Sequence, residues 1–494
     1  MENLRDINHL NYNTPICLDV VGNATITNYN FNPNQYDNCI GGEILQIEFD
    51  EGLDFVDGSN SYIRLVLKVN ATNPDPAISF YSFNGTNITI PAYPPQTQLQ
   101  AYMRNSASSI MNLIDRVELV SKSGETIFRE LYKNQVQTLR EYKINNSRKD
   151  FLTIMGSNVS DINNTGNKDN LNMYNINNTA TFLIPLALIS PFFNTGSLIP
   201  PQLLNGSVLR LTLSSPINSI VLIDNTRTVI NNVSPVSVSL SNMAVLLSEK
   251  ELFPEIAEVI NKRLSSPEGL DYSYYSEFNT FFIPPYQRAD ITPIFQSFQI
   301  PISLNAGKIK YVAMKNIPNA NGSPIYPFIN CAMKWSDFYN LQSPNLSEKN
   351  NLPFTVKARL GNDVLLTYDL TTIPEAYENT IRALNNISFS NTEDVDVEKN
   401  INKLAPCCVS GSGYNYIITP IDNYTDTTGG SIIAFDFERL QAIDCAGLST
   451  NPERQLTLEI DNYNNSDQSN GIIISVEYLS VAKVWKNGEI AINR

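Results

Sequence analysis

Along nearly the whole chain, short stretches of alternating apolar and polar residues are separated by clusters of Asn, Gly, Pro and Ser, and a helical period interrupts them clearly only once. Residues 43–50 show the pattern: Leu45, Ile47 and Phe49 fall on one side, and Ile44, Gln46 and Glu48 on the other. Residues 61–70 repeat it, with Ile63, Leu65, Leu67 and Val69 against Tyr62, Arg64, Val66 and Lys68. A period of two puts successive side chains on opposite faces of a strand, so these stretches read as half-buried β-strands. Further strands are predicted at 87–90, 116–120, 126–128, 181–190, 207–215, 219–224 and 236–248. The pair 116–120 and 126–128 flanks Gly124 and reads as a hairpin. A second series follows at 277–285, 296–304, 307–317, 353–360, 364–370, 415–421, 431–440, 454–461 and 471–485. The abundant Tyr and Phe, 24 and 22 residues, suit a pleated surface better than a helix.

The interruption lies between the two series. Ile256, Val259, Ile260 and Leu264 recur at helical spacing, and Pro267 stops the run. Ser248 with Glu251 three residues on forms a capping box, although Pro254 allows the helix proper to begin there. A shorter helix is predicted over 132–142, and 145–180 reads as a long Asn-rich loop. A length of 494 residues suits two all-β domains around two cores. The expected organisation is an extended N-terminal arm at 1–40, a first domain at 41–248, a linker helix at 249–268 and a second domain at 269–494.

Chemistry is sparse in this chain. The single histidine, His9, lies in the polar arm, so a His-based nucleophile system or a second imidazole ligand has nothing to draw on. Gly411-Ser412-Gly413 lacks the glycine that a nucleophile elbow carries two residues before its Ser, and no phosphate-binding glycine loop occurs. Asp161, Asn163, Thr165 and Gly166 begin like a calcium loop, but Asn172 occupies the closing position where Glu is required. Glu393, Asp394, Asp396 and Glu398 read as a solvated edge, and Cys407-Cys408 as buried or free thiols. No catalytic, cofactor-binding or metal-binding residue is therefore assigned. Six cysteines in this length set up no disulfide framework. The first residues lack the apolar stretch of a secretory signal. The most apolar segment, 182–193, is broken by Pro185 and Pro191 and falls short of the ~20 residues a membrane helix needs.

A formal charge of −15, from 49 acidic against 34 basic residues, repels phosphate and argues against a genome-binding body. The nearest basic group, Arg140, Lys143, Arg148 and Lys149, is interleaved with Glu141 and Asp150.

Three segments resemble the double-jelly-roll major capsid proteins of virophages, polinton-like viruses and nucleocytoplasmic large DNA viruses. They are 110–120 with the Gly124 turn and the Tyr132 helix; 182–213, a proline-bearing strand, an apolar Leu-Pro loop and a strand after Gly206; and 236–282, a strand, a helix and the aromatic SYYSEFNTFF. The resemblance implies an all-β fold of two consecutive jelly-roll barrels with short helical insertions and long loops. It also implies a non-enzymatic structural subunit of an icosahedral double-stranded DNA virus shell, made in the host cytoplasm and resident in the virion. The implied partners are the chain itself, as a homotrimeric pseudo-hexameric capsomer in contact with other capsomers, and penton and minor capsid proteins. No nucleic acid or cofactor is implied, and an inner membrane would lie nearby. Two other readings of the strand pattern stay open: a secreted or surface β-sandwich glycoprotein or lectin, and a carbohydrate-active β-sandwich enzyme using two opposed carboxylates.

Overall fold

The computed structural model describes residues 21–71, 78–80, 97–103, 110–133, 136, 179–215, 220–223, 236–283, 295–306, 308–317, 351–364, 370–372, 375–376, 379, 383, 432–437, 449–450, 454–464 and 471–493. In the first half, β1 (Val21–Asn30), β2 (Gln35–Cys39), β3 (Ile44–Glu48), β4 (Phe55–Ala71), β5 (Ile78–Phe80) and β6 (Thr97–Met103) come first. They are followed by β7 (Ile114–Val120), β8 (Thr126–Glu130), β9 (Thr179–Pro185), β10 (Val208–Leu213), β11 (Ile220–Ile223) and β12 (Val236–Leu252). After the helix Pro254–Leu264 come β13 (Leu270–Phe282), β14 (Phe295–Ile302), β15 (Lys308–Ile317), β16 (Asn351–Leu360) and β17 (Asp363–Val364). The last five are β18 (Leu370–Thr372), β19 (Ile432–Asp436), β20 (Leu456–Asn464), β21 (Gly471–Val484) and β22 (Ile490–Asn493).

Each half is built from two antiparallel sheets of the same connectivity. In the first half the orders are β1-β12-β4-β9 and β3-β10-β7-β8, and in the second β13-β21-β15-β19 and β14-β20-β16-β17. The first strand of each half pairs with its last long strand, β1 with β12 and β13 with β21. That return of the chain to its start is the jelly-roll path. Small additions join these frames: β2 on β12, β22 on β21, β18 on β16, and a separate β11-β6-β5 sheet.

Alternation places the cores. In β10, Leu209, Leu211 and Leu213 are buried, while Val208, Arg210 and Thr212 are half-exposed. They meet Leu45 and Ile47 of β3, Ile63, Leu65 and Leu67 of β4, and Val117 and Leu119 of β7. The second core joins Ile300 and Ile302 to Val312, Val356, Leu458, Ile474 and Val476. Each such side chain contributes roughly 1.5–3 kcal/mol of burial. β21 has nearly every residue from Ile472 to Tyr478 buried, so both of its faces are covered.

Several expectations change. The region 21–39 is not an irregular arm: it forms β1 and β2, both paired to β12. β1 was hard to see because an edge strand bonded on one side needs little apolar alternation, and its residues Gly22 to Ile26 are exposed. Ser248 does not cap a helix. β12 continues to Leu252, the Ser248 amide donates to Ser61 Oγ at 3.0 Å, and Pro254 opens the helix behind Phe253 without a side-chain cap. The run 181–190 is not one strand: β9 ends at Pro185, and Leu186–Ile189 make a helical turn with Leu186, Leu188 and Ile189 buried. An apolar run of that length fits a buried helix turn as well as a strand. Of the predicted 364–370 strand the two ends are described, Val364 in β17 and Leu370 in β18, and 365–369 lie outside the described residues. Of the predicted 132–142 helix, Tyr132, Lys133 and Val136 are described: Lys133 and Val136 are helical, while Tyr132 precedes the helix at φ 53°. The strands expected at 87–90 and 415–421 lie outside the described residues, as does 145–178 of the loop expected at 145–180, whose last two residues, Thr179 and Ala180, open β9 instead.

The connection between the halves is fastened by the C-terminal strand pair. Trp485 Nε1 donates to Pro267 O at 3.2 Å, and the Lys486 amide to Leu264 O at 3.1 Å. Gly269 turns the chain into β13 at φ +68°, where a Cβ would stand 2.8 Å from Val484 O. Only glycine meets both demands at that point. Among the described residues, no helix is long and apolar enough to cross a membrane.

Candidate functional site

The feature that combines the most charge, burial and contact between elements is the joint between the two barrels. Among the described residues, β8 is the outer strand of its sheet, bonded to β7 alone. Its other side meets β13. Tyr274 OH donates to Ile127 O at 2.8 Å, and Asn279 Nδ2 donates to Leu131 O at 2.8 Å. Two side chains of the second barrel thus satisfy backbone carbonyls along the edge of the first, which would otherwise be a template for wrong pairing. Aromatic rings fill the space beside them. Phe192 stands edge-on to Tyr274 at 5.1 Å and to Tyr272 at 6.1 Å, and packs on Phe128 at 5.3 Å. Burial raises the Tyr272 hydroxyl pKa, and its OH pairs with Thr195 Oγ1 at 2.9 Å. Leu270, Tyr272, Tyr274, Ala482 and Val484 belong to the first core although they lie on the second barrel's strands.

Charge crosses the same joint. Lys133 Nζ lies 2.6 Å from Glu130 Oε2 in the first barrel and 3.3 Å from Glu277 Oε1 in the second. The three side chains are 0%, 0% and 1% exposed. Ser190 Oγ donates to Glu130 Oε1 at 2.6 Å, and Asn279 Nδ2 to Glu277 Oε1 at 2.6 Å. Glu477 sits opposite Glu277 on β21, accepts from Tyr311 OH at 3.1 Å, and lies 4.0 Å from Lys310 Nζ. Val136 continues the contact against Tyr311, Ala313, Ala434 and Ile473. Desolvating ions costs several kcal/mol apiece, and Coulomb attraction offsets this only when the hydrogen bonds are also made. The arrangement therefore holds one relative placement of the barrels; a shift separates Lys133 from a buried carboxylate. With side chains 0–1% exposed, the network is closed to solvent.

Other groups are lesser candidates. Glu249 accepts from Tyr29 OH at 3.1 Å and from the Asp54 amide at 3.1 Å. Burial and the Glu249 charge raise the Tyr29 pKa, and burial with Glu249 and Glu251 raises that of Asp54. Cys39 is a buried free thiol, pushed up to about 11 by burial and by Glu43. On the outer face of the β3-β10-β7-β8 sheet, Arg116, Arg210 and Arg129 surround Glu118 at 2.9, 3.9 and 4.0 Å. Among the described residues, no group of three or more His, Cys, Asp or Glu is placed to hold a metal ion. His9, the 161–172 segment, the 393–398 carboxylates, Cys407, Cys408 and Gly411–413 lie outside the described residues.

The sequence reading missed the joint. The signal for it was Glu477, a lone carboxylate inside the apolar run 471–485. In a strand buried on both faces such a charge needs a partner from elsewhere in the fold. Glu130, Lys133 and Glu277 carried no comparable mark, since each lies beside polar neighbours.

No family model matches the sequence, and no curated protein does. Solved structures do match the fold over nearly its whole length. A chain of the Sputnik virophage cryo-EM structure aligns with a TM-score of 0.54 at 10% identity, covering 97% of this chain and 90% of that one. A chain of the PBCV-1 virus capsid gives 0.52 at 12% identity over 98% and 99%. The Faustovirus major capsid protein gives 0.52 at 9% identity over 94% and 90%. The shared fold is the double jelly roll.

Proposed function

We propose that this chain is the major capsid protein of an icosahedral DNA virus, a structural subunit without a catalytic role. The observation that carries the reading is the end-to-end match of two barrels in fixed relation to chains of the Sputnik, PBCV-1 and Faustovirus structures. A likeness limited to one barrel would fit any β-sandwich protein. A match over 94–98% of this chain spans both barrels. The buried Glu130–Lys133–Glu277 link supports it, since a shell subunit must hold its shape under load from its neighbours.

In this reading the subunit is a homotrimer of pseudo-hexagonal outline, packed against other capsomers and against penton and minor capsid proteins in the virion. The domain division is an N-terminal segment, a first barrel, a linker helix and a second barrel, with β1 counted in the first barrel. The net charge of −15 keeps the body off the genome and suits a shell separated from it by a membrane or other proteins. Light scattering on the purified chain tests this. A particle of three times the 55.2 kDa chain mass that persists at micromolar dilution is expected. A monomer at that concentration would overturn it, because obligate interfaces of roughly 2,000 Å² or more do not dissociate there.

A further inference from the structure

We infer that Lys133 and Asn279 become joined by an amide cross-link that the folded chain makes for itself across the barrel joint. The parts of such a reaction meet there: an amine, a carboxamide, and carboxylates able to move protons between them. Glu277 Oε1 touches both nitrogens, Lys133 Nζ at 3.3 Å and Asn279 Nδ2 at 2.6 Å. The nitrogen that attacks and the nitrogen that leaves therefore share one oxygen. Glu130 Oε2, 2.6 Å from Nζ, is a second proton acceptor on the attacking side. All four residues are shut off from water: Glu130 and Lys133 are 0% exposed, Glu277 2% and Asn279 4%.

The carboxamide is held in place but is not fully satisfied. Its Nδ2 donates to Leu131 O at 2.8 Å as well as to Glu277, and two acceptors on one end identify that end as the nitrogen. Its Oδ1 is buried with no hydrogen-bond partner among the described residues. Ser475 stands directly opposite Asn279 across β13 and β21, on the same face, and its buried Oγ has no partner there either. A buried carbonyl oxygen left unpaired is costly in a joint with no further use for it. In acyl transfer it is the atom that receives negative charge, and a nearby hydroxyl is the kind of donor that stabilises it.

The reaction balances without an outside reagent. Glu130 takes one proton from the Lys133 ammonium and leaves a neutral amine. The amine lone pair attacks Asn279 Cγ, the carbonyl π electrons move to Oδ1, and the Ser475 hydroxyl donates a hydrogen bond to that oxygen. Glu277 takes a second proton from the attacking nitrogen and passes it to the departing one. The Cγ–Nδ2 bond breaks, the carbonyl re-forms, and ammonia leaves with an Nζ–Cγ amide in its place. Glu130 keeps the first proton, so the site loses the lysine charge and one carboxylate charge together. The ion pair is thus the form in which the joint closes, and the amide is its product. Aminolysis of an amide is slow in water, but well-oriented groups in one site reach effective concentrations of roughly 10⁵–10⁸ M. Val136, Ala313, Ala434 and Ile473 pack together on the same face and exclude water, the competing nucleophile.

Intact-mass measurement of the denatured, reduced chain tests this, and it reads the same in a monomer or a trimer. The wild type is expected to weigh one ammonia less than its sequence, and digestion to yield a branched peptide joining the segments that hold Lys133 and Asn279. Lys133→Arg keeps the charge without a nucleophilic amine, and Glu277→Gln removes the proton carrier. Each is expected at its full sequence mass with the branched peptide absent. If either variant fails to fold, the wild-type result decides alone. A folded wild type still at full sequence mass after prolonged incubation would overturn the cross-link. So would a loss of ammonia that maps to a linear peptide, as ring closure at Asn487-Gly488 would give. Both of those results leave the capsid reading in place, since that reading is tested by light scattering.

Discussion

Glu277 and Glu477 stand directly opposite each other on β13 and β21, 2% and 3% exposed. Like charges facing across a strand pair are destabilising, so this pair persists because each carboxylate is held from another direction. Glu277 is held by Lys133 and Asn279 from the joint, and Glu477 by Tyr311 and Lys310 from β15. The second barrel thus depends on a lysine of the first for the stability of its own sheet.

Removing that lysine should be expensive. Lys133→Ala leaves Glu130 and Glu277 buried without their cation, for a loss of about 3–5 kcal/mol. Replacing all three charges together, as Lys133→Met/Glu130→Leu/Glu277→Leu, should cost less than the single change. Calorimetry checks both, and Lys133→Ala should also split the unfolding of the two barrels into separate transitions. A single variant no less stable than the triple one would contradict the role given to the network.

The first barrel's side of the joint has a steric requirement of its own. A Cβ on Gly58 of β4 would lie 2.6 Å from Phe193 O, next to the aromatic cluster around Phe192. Gly58→Ala should therefore destabilise by roughly 1–3 kcal/mol through forced separation of the backbones. Denaturant unfolding reads this directly, and an unchanged midpoint would show that the two segments part easily.

How much of this was legible beforehand follows from the physics of each element. β3, β4, β7, β10 and β12 announced themselves because one face of each enters a core and the other does not, which imposes a period of two. β1 and β22 left weak traces, since an edge strand is fixed by hydrogen bonds to one neighbour and not by side-chain burial. The site was less legible still. Glu130, Lys133 and Glu277 are brought together from positions 130 to 277, and local pattern says nothing of contacts at that separation. The resemblance to capsid proteins reached the fold without reaching the joint.

Asp115 gives a pH dependence. Burial raises its pKa, against a smaller opposite effect of Arg116. The folded chain then binds its proton more tightly than the unfolded chain does, so this group's contribution to stability falls as pH rises from the ordinary carboxylate pKa, about 4, through the raised value. Asp115→Asn removes the effect. The variant's advantage in melting temperature should be small at the acidic end of that range, grow through it, and level off above. A constant difference across the range would contradict the assigned cause.

Cys39 should be inert. A buried thiol with a pKa of about 11 holds almost no thiolate at pH 7.5, and the thiolate is the reactive form. Peptide mapping after brief alkylation should find Cys39 unmodified in the folded protein and modified in denaturant. Rapid labelling without denaturant would show that the β2 edge opens.

Nucleic-acid affinity should be negligible at physiological ionic strength, because 34 basic residues are set among 49 acidic ones. Filter binding at about 150 mM salt should show no retention at micromolar protein. Micromolar affinity that falls steeply with added salt would reveal a phosphate-binding surface.

The central claim is that two barrels locked in one orientation form a shell subunit, and negative-stain electron microscopy of the purified chain tests it most directly. The account predicts uniform particles with a hexagonal outline and threefold symmetry, each made of three two-barrel chains. A field of separate, elongated two-lobed monomers would contradict it.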